Sequence, residues 1–254
     1  MTGLELAIAC AVGFVAAGMG AIAGGNSLIV VPVLILLGMD SVSAVATNMF
    51  GVTFLSLAAT VRFSRSGHLR RHPTLGLTVL AVPGGIVGAG IAVSLSHEAL
   101  SAIIAGAMIV MAGFLALRAG IGAKTVHVSR RRVIIAYALS AVWAVYGGMF
   151  SGGYTTVLTV GCVVLFGTTL LEAVALTKIV NLVSSATATA VFIATGTIDY
   201  EIAVLLAIAM AAGGFAGAHL AIREPKKLRG VVIAIALILA LALILRAAGI
   251  LPGG

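Results

Sequence analysis

Eight stretches of this chain stay apolar for long enough to cross a bilayer as helices, and two more for about half that length. The long ones lie near 4–22, 42–63, 74–95, 98–118, 133–150, 170–195, 199–221 and 227–248. The short ones, Ser27–Gly38 and Thr155–Gly167, reach only about 18–20 Å as helices, against roughly 30 Å of hydrocarbon. Segments of this kind dictate an all-α polytopic membrane protein. The chain is 61% hydrophobic and 9% charged, where a soluble domain carries near 25% charged residues. Its 254 residues leave no room for a sizeable soluble part, so 1–254 reads as a single transmembrane domain. The 32 glycines suit helices packed at close range.

A net charge of +8 raises the question of an acidic partner. All of the fifteen Lys and Arg except Lys178 and Arg246 fall within 62–71, 118–132 and 223–229. That is the pattern of cytoplasmic loops under the positive-inside rule, and it argues against nucleic acid. Cys10 and Cys162 lie in apolar segments without a CxxC or metal-ligand neighbour, so they read as small core hydrophobes. No metal and no cofactor is expected. The N-terminus, Met1-Thr-Gly-Leu-Glu5, has an acid and no basic region and does not read as a cleaved signal.

A shift of 129 residues superposes the chain on itself. It brings Gly18 onto Gly147, Gly24 onto Gly153 and Gly38 onto Gly167. Ala44-Val45-Ala46 meets Ala173-Val174-Ala175, Gly84-Gly85 meets Gly213-Gly214, and Gly88-Ala89 meets Gly217-Ala218. The single offset predicts two homologous halves, about 1–121 and 130–250. Equivalent loops swap charge: His68-Leu-Arg70-Arg71-His72 corresponds to Thr197-Ile-Asp199-Tyr200-Glu201. By the positive-inside rule these loops lie on opposite faces, so the halves are expected to be inverted. Each half then comprises three spanning helices plus a broken-helix hairpin of one long and one short segment, with both termini non-cytoplasmic. Whether the hairpins 4–38 and 133–167 dip in and return, or cross fully, stays open at this level.

Lys178 is the only Lys or Arg well inside a long apolar segment. A charge at that depth costs about 3 kcal/mol or more and commonly marks a substrate or ion path. It lies about eight residues, roughly 12 Å, from the expected helix start, a long reach for snorkelling to the interface. A buried cation with no acidic neighbour calls for an anion from outside the protein. Broken helices of inverted repeats offer such anions their N-termini, with free N–H groups and the positive end of the dipole. Here those ends are Gly24-Gly25-Asn26-Ser27 and Gly152-Gly153-Tyr154-Thr155-Thr156. Glycine admits a ligand to the backbone, and Ser27, Thr155 and Thr156 carry hydroxyl donors, a combination that suits an oxyanion. Asn48 and Asn181 are further polar residues at depth. Lys178, Asn181 and Ser185 share one helix face, Ser185 reading as an interhelical hydrogen-bonding residue. The glycine pairs at 84–85 and 213–214 read as packing faces, and His219 as an interfacial residue.

With these glycines the chain resembles the sulfite exporter TauE/SafE family of membrane permeases. The likeness rests on Gly20-Ala-Ile-Ala-Gly24-Gly25-Asn26-Ser27-Leu-Ile-Val-Val-Pro32, on Gly38 and Ala44-Val-Ala-Thr47, and on the weaker second copy. The loops at Gly67 and Gly196 carry it further, over nearly the whole length. The chain departs from the family's glycine-rich signature at Asn26 and Tyr154, and its second copy lacks the proline matching Pro32. The resemblance implies a transporter of sulfur-containing anions, such as sulfite or organosulfonates, in the plasma (inner) membrane of a bacterium. Its partners would be a small anionic substrate and the lipid bilayer, with room for a coupling proton or cation and for homo-oligomers. A passive anion channel would use the same site. A non-transporting scaffold needs neither Lys178 nor broken helices. A membrane-embedded enzyme would need HExxH, paired carboxylates or a Ser/His/Asp set at one depth, and none is evident.

Overall fold

The computed structural model describes residues 2–66, 71–117 and 129–224, the side chains of 71–73 and 111–117 excepted. Among them it is all-helical. The helices are α1 (Gly3–Ala23), α2 (Ser27–Leu36), α3 (Ser41–Ser64), α4 (Arg71–Ser94), α5 (His97–Leu117), α6 (Arg130–Met149), α7 (Tyr154–Phe166), α8 (Leu170–Ala194) and α9 (Tyr200–Arg223). Six of these, α1, α3, α4, α6, α8 and α9, are long and apolar enough to cross a membrane. The expected segment 227–248 and the basic residues Arg70, Arg118, Lys124, Lys226, Lys227 and Arg229 lie outside the described residues.

Local sequence accounts for where the helices begin. Thr2 and Glu5 form a capping box on α1, and Thr169 and Glu172 form another on α8. Asp40 accepts from the amides of Val42 and Ser43 to start α3, and Asp199 does the same for Glu201 and Ile202 at α9. Left-handed glycines stop α7 at Gly167 (φ 65°) and turn the chain after α8 at Gly196 (φ 66°). The starts of α3 and α8, Ser41 and Leu170, keep the 129-residue shift, as do those of α4 and α9, Arg71 and Tyr200.

Contacts between helices set their directions. Gly13 lies against Leu206 and Met210, Phe14 against Gly213 and Gly18 against Gly217, so α1 and α9 run parallel. Thr47 meets Asp199, Gly51 meets Met210 and Leu55 meets Gly214, so α3 runs with them. Gly76 against Tyr137, Gly84 against Ala144 and Gly88 against Met149 make α4 parallel to α6. Leu77 clusters with Ala173 and Leu176 while Gly85 meets Ser184 and Thr187, which aligns α8 with α4. The two sets oppose each other: Thr53 bonds Thr189 and Ser56 bonds Asn181, so α3 and α8 are antiparallel.

Both hairpins return to the end of the bundle from which they start. Glu5 of α1 and Leu37, Gly38 and Met39 after α2 line one cleft with Asp40 and Asp199. In the second hairpin the rings of Tyr137 in α6 and Phe166 in α7 lie 5.1 Å apart. The tips, Gly24-Gly25 and Gly152-Gly153, therefore point into the bundle rather than across it.

The glycine faces are packing devices. A Cβ on Gly217 would run into the Gly18 carbonyl, and one on Gly88 into the Val145 carbonyl. Backbone atoms cannot yield as side chains do. Gly88→Ala and Gly217→Ala are each expected to lower stability by about 1–3 kcal/mol, the scale of overpacking. Gly90→Ala, with open space where its Cβ would stand, should not. Thermal unfolding of the three purified variants checks this; equal melting temperatures would refute the close approach.

Candidate functional site

The two hairpin tips meet. A Cβ on Gly24 would stand 2.5 Å from both the Thr155 and Thr156 hydroxyl oxygens and 2.8 Å from the Thr156 amide nitrogen. Thr156 Oγ1 donates to the carbonyl of Ala23 at 2.9 Å, so the start of α7 caps the end of α1. Gly24 and Gly25 both have φ 82°, and Gly153 has φ 78°, which only glycine adopts without strain. Gly152 lies against Leu28 of the opposite hairpin, and its carbonyl accepts from the Tyr146 hydroxyl.

Helix starts at the tips differ from those at the outer ends of the bundle. No side chain caps α2 at Asn26 or α7 at Gly153. The first N–H groups of a helix have no carbonyl within it, so those of Ser27, Thr155 and Thr156 lack a partner inside their own helices. Helix α6 also starts without a side-chain cap, but at the exposed Ser129, where water serves.

Lys178 is the ninth residue of α8 and is 2% exposed. Its Nζ donates to the carbonyl of Gly20, in the last turn of α1, at 2.6 Å. The side chain thus turns inward and does not snorkel. Its position resembles that of a cation at a helix C-terminus, with the carbonyl end of α1 in place of a carboxylate. An ammonium has three donor hydrogens, and this bond uses one. Gly20 must be glycine, because its Cβ would lie 2.7 Å from the Cβ of Asn26. Asn26 is 5% exposed, and its Nδ2 has no hydrogen-bond partner. Ser27 is fully buried and accepts from Asn48 Nδ2 at 2.9 Å, while Asn48 Oδ1 is unpaired. Lys178, Gly24, Asn26, Ser27, Asn48, Thr155 and Thr156 therefore form one connected group.

Other expected site residues sit apart from it. Tyr154 packs its ring against Gly147 and clusters with Leu77 and Leu158, and its carbonyl accepts from Trp143 Nε1 at 3.3 Å. Its bulk fills the α6–α7 hairpin instead of facing the first tip. Asn181 accepts from Ser151 Oγ at 3.3 Å and donates to Ser56 Oγ at 2.8 Å, tying the second tip to α3. Ser185 bonds the Leu182 carbonyl of its own helix, not a neighbouring helix as expected. His219 accepts from Arg62 Nε at 3.1 Å where α3 and α9 end. Neither Ser151 nor Gly20 is marked as a site residue by the sequence alone. Ser151 is buried with φ 61°, the only described non-glycine residue at positive φ. Its signal in the sequence is its place directly before Gly152-Gly153.

The pattern of the Sulfite exporter TauE/SafE family matches residues 9–243. The chain belongs to that family. It is similar to a probable membrane transporter protein of a Sinorhizobium species, 26% identical over 215 residues, which cover 85% of this chain and 82% of the relative. A probable membrane transporter protein of Haemophilus influenzae is likewise 26% identical over 215 residues, covering 85% and 83%. No solved structure matches the chain. As a TauE/SafE protein its membrane placement follows from both the family and the six apolar helices.

Proposed function

We propose that this TauE/SafE protein is a secondary transporter that moves small sulfur-containing anions, such as sulfite or organosulfonates, across the bacterial inner membrane by alternating access. The anion is held at the N-termini of α2 and α7 and by Lys178. The observation that carries this reading is a fully buried ammonium beside two touching helix starts that no side chain caps. A ligand-stabilisation screen of the purified protein tests it, with sulfite, thiosulfate, sulfoacetate, taurine, sulfate and carboxylates as probes. A sulfur anion at about a hundred times its Kd should stabilise the fold by about 2.7 kcal/mol. Stabilisation by carboxylates alone would remove sulfur anions as the substrate class. A passive channel through the same site would carry the anion without any dependence on a proton gradient.

In this reading the halves are inverted repeats. Support comes from helix directions: each of α1, α3 and α4 runs opposite to its counterpart α6, α8 and α9. The swap of basic and acidic loops points the same way. A cysteine at Ser66, after α3, should be shielded from an impermeant thiol reagent added to intact cells, and one at Thr197, after α8, should be labelled. Labelling of both from the same side would sink the inverted arrangement.

A further inference from the structure

We infer that the site at the hairpin tips selects singly charged oxyanions and discriminates against doubly charged ones of the same shape. The inference rests on the reading above, that an anion binds there. It follows from counting the charges that face the tips. Lys178 is the only charged side chain among the described residues that is buried. The helix starts of α2 and α7 each bring roughly half a positive charge to the tips. Each hairpin also brings a helix end to the same place, α1 at Gly20–Ala23 and α6 at Met149, with roughly half a negative charge. The dipoles offset within each hairpin, and one ammonium remains.

The uncharged groups orient oxygens without changing that balance. Asn26 Nδ2 is a buried donor with no partner, 5% exposed, on the residue that packs against Gly20. Two ammonium hydrogens of Lys178 are free of the Gly20 bond. The two amide and two ammonium hydrogens suffice for the three oxygens of a sulfonate or of hydrogensulfite. A dianion would bring a second negative charge into a site with no second buried cation among the described residues. An uncompensated buried charge is strongly unfavourable, enough to weaken binding by more than about tenfold.

Equilibrium binding to the full-length purified protein at neutral pH and constant ionic strength tests this, with methanesulfonate as the monoanion and sulfate as the dianion. Methanesulfonate is expected to bind at least about tenfold more tightly than sulfate. Equal or tighter binding of sulfate would overturn the charge selection while leaving an anion site in place. Binding of neither would overturn the anion site itself, and the selection with it. Lys178→Met should lose the preference together with most of the methanesulfonate affinity. A preference that survives in this variant would show that Lys178 is not its source. Should the variant fail to fold, the comparison in the unaltered protein decides by itself.

Discussion

Lys178→Met is expected to weaken anion binding by at least about 2 kcal/mol, because a desolvated oxyanion loses its charged partner. The fold itself should hold or gain stability, since an unneutralised buried charge is destabilising. Removal of the amine orphans no acceptor: the Gly20 carbonyl keeps the Gly24 amide, which donates to it at 2.9 Å. Lys178→Arg should be only partly tolerated. The site is closed around a side chain that is 2% exposed, and a guanidinium is wider and fixed in geometry. Binding and gradient-driven uptake, measured on both variants, separate three roles. An anion-binding lysine loses binding in the methionine variant. A proton carrier keeps binding there but loses the response to the pH gradient. A residue with neither role leaves uptake normal, and normal uptake by Lys178→Met would end the anion-site reading.

Gly24→Ala is the second change expected to have a large effect. Gly24 has φ 82° and ψ −174°, a region that is essentially closed to residues with a Cβ. The new methyl group would also overlap both threonine hydroxyls at the start of α7. Strain and overlap together are expected to lower stability by at least about 2 kcal/mol and to abolish uptake. Adding Thr155→Ala should restore part of the stability, because it removes one of the two overlapping oxygens. Thermal unfolding of the single and double variants, with uptake measured in parallel, checks both. Near-normal uptake by Gly24→Ala would mean that the tips do not touch in the working protein.

Much of this protein is legible along the chain because the relevant physics is local. Apolar runs of bilayer length foretell helices. Paired glycines foretell the breaks at Gly24-Gly25 and Gly152-Gly153. The depth of Lys178 in its apolar segment marks it as unusual before any fold is known. The one repeated offset is legible for the same reason, since it needs only the order of residues.

Contacts between distant parts are not legible in that way. Lys178 reaches a carbonyl 158 positions away, and a backbone carbonyl leaves no mark of its own in a sequence. Tyr154 looks like a ligand-facing aromatic until Gly147 is seen to leave room for its ring. Ser151 adopts a left-handed backbone because Asn181 and the turn at Gly152-Gly153 hold it there, not because serine favours it. The return of each hairpin to its starting end is likewise tertiary. It depends on helix directions that small residues set by letting backbones touch. The sequence by itself determined the helices, their breaks and the single deep charge, since these follow from propensity and hydrophobicity over a few residues. Only the tertiary structure decided that the two breaks meet beside that charge, because that juxtaposition is made by packing between helices far apart in the chain.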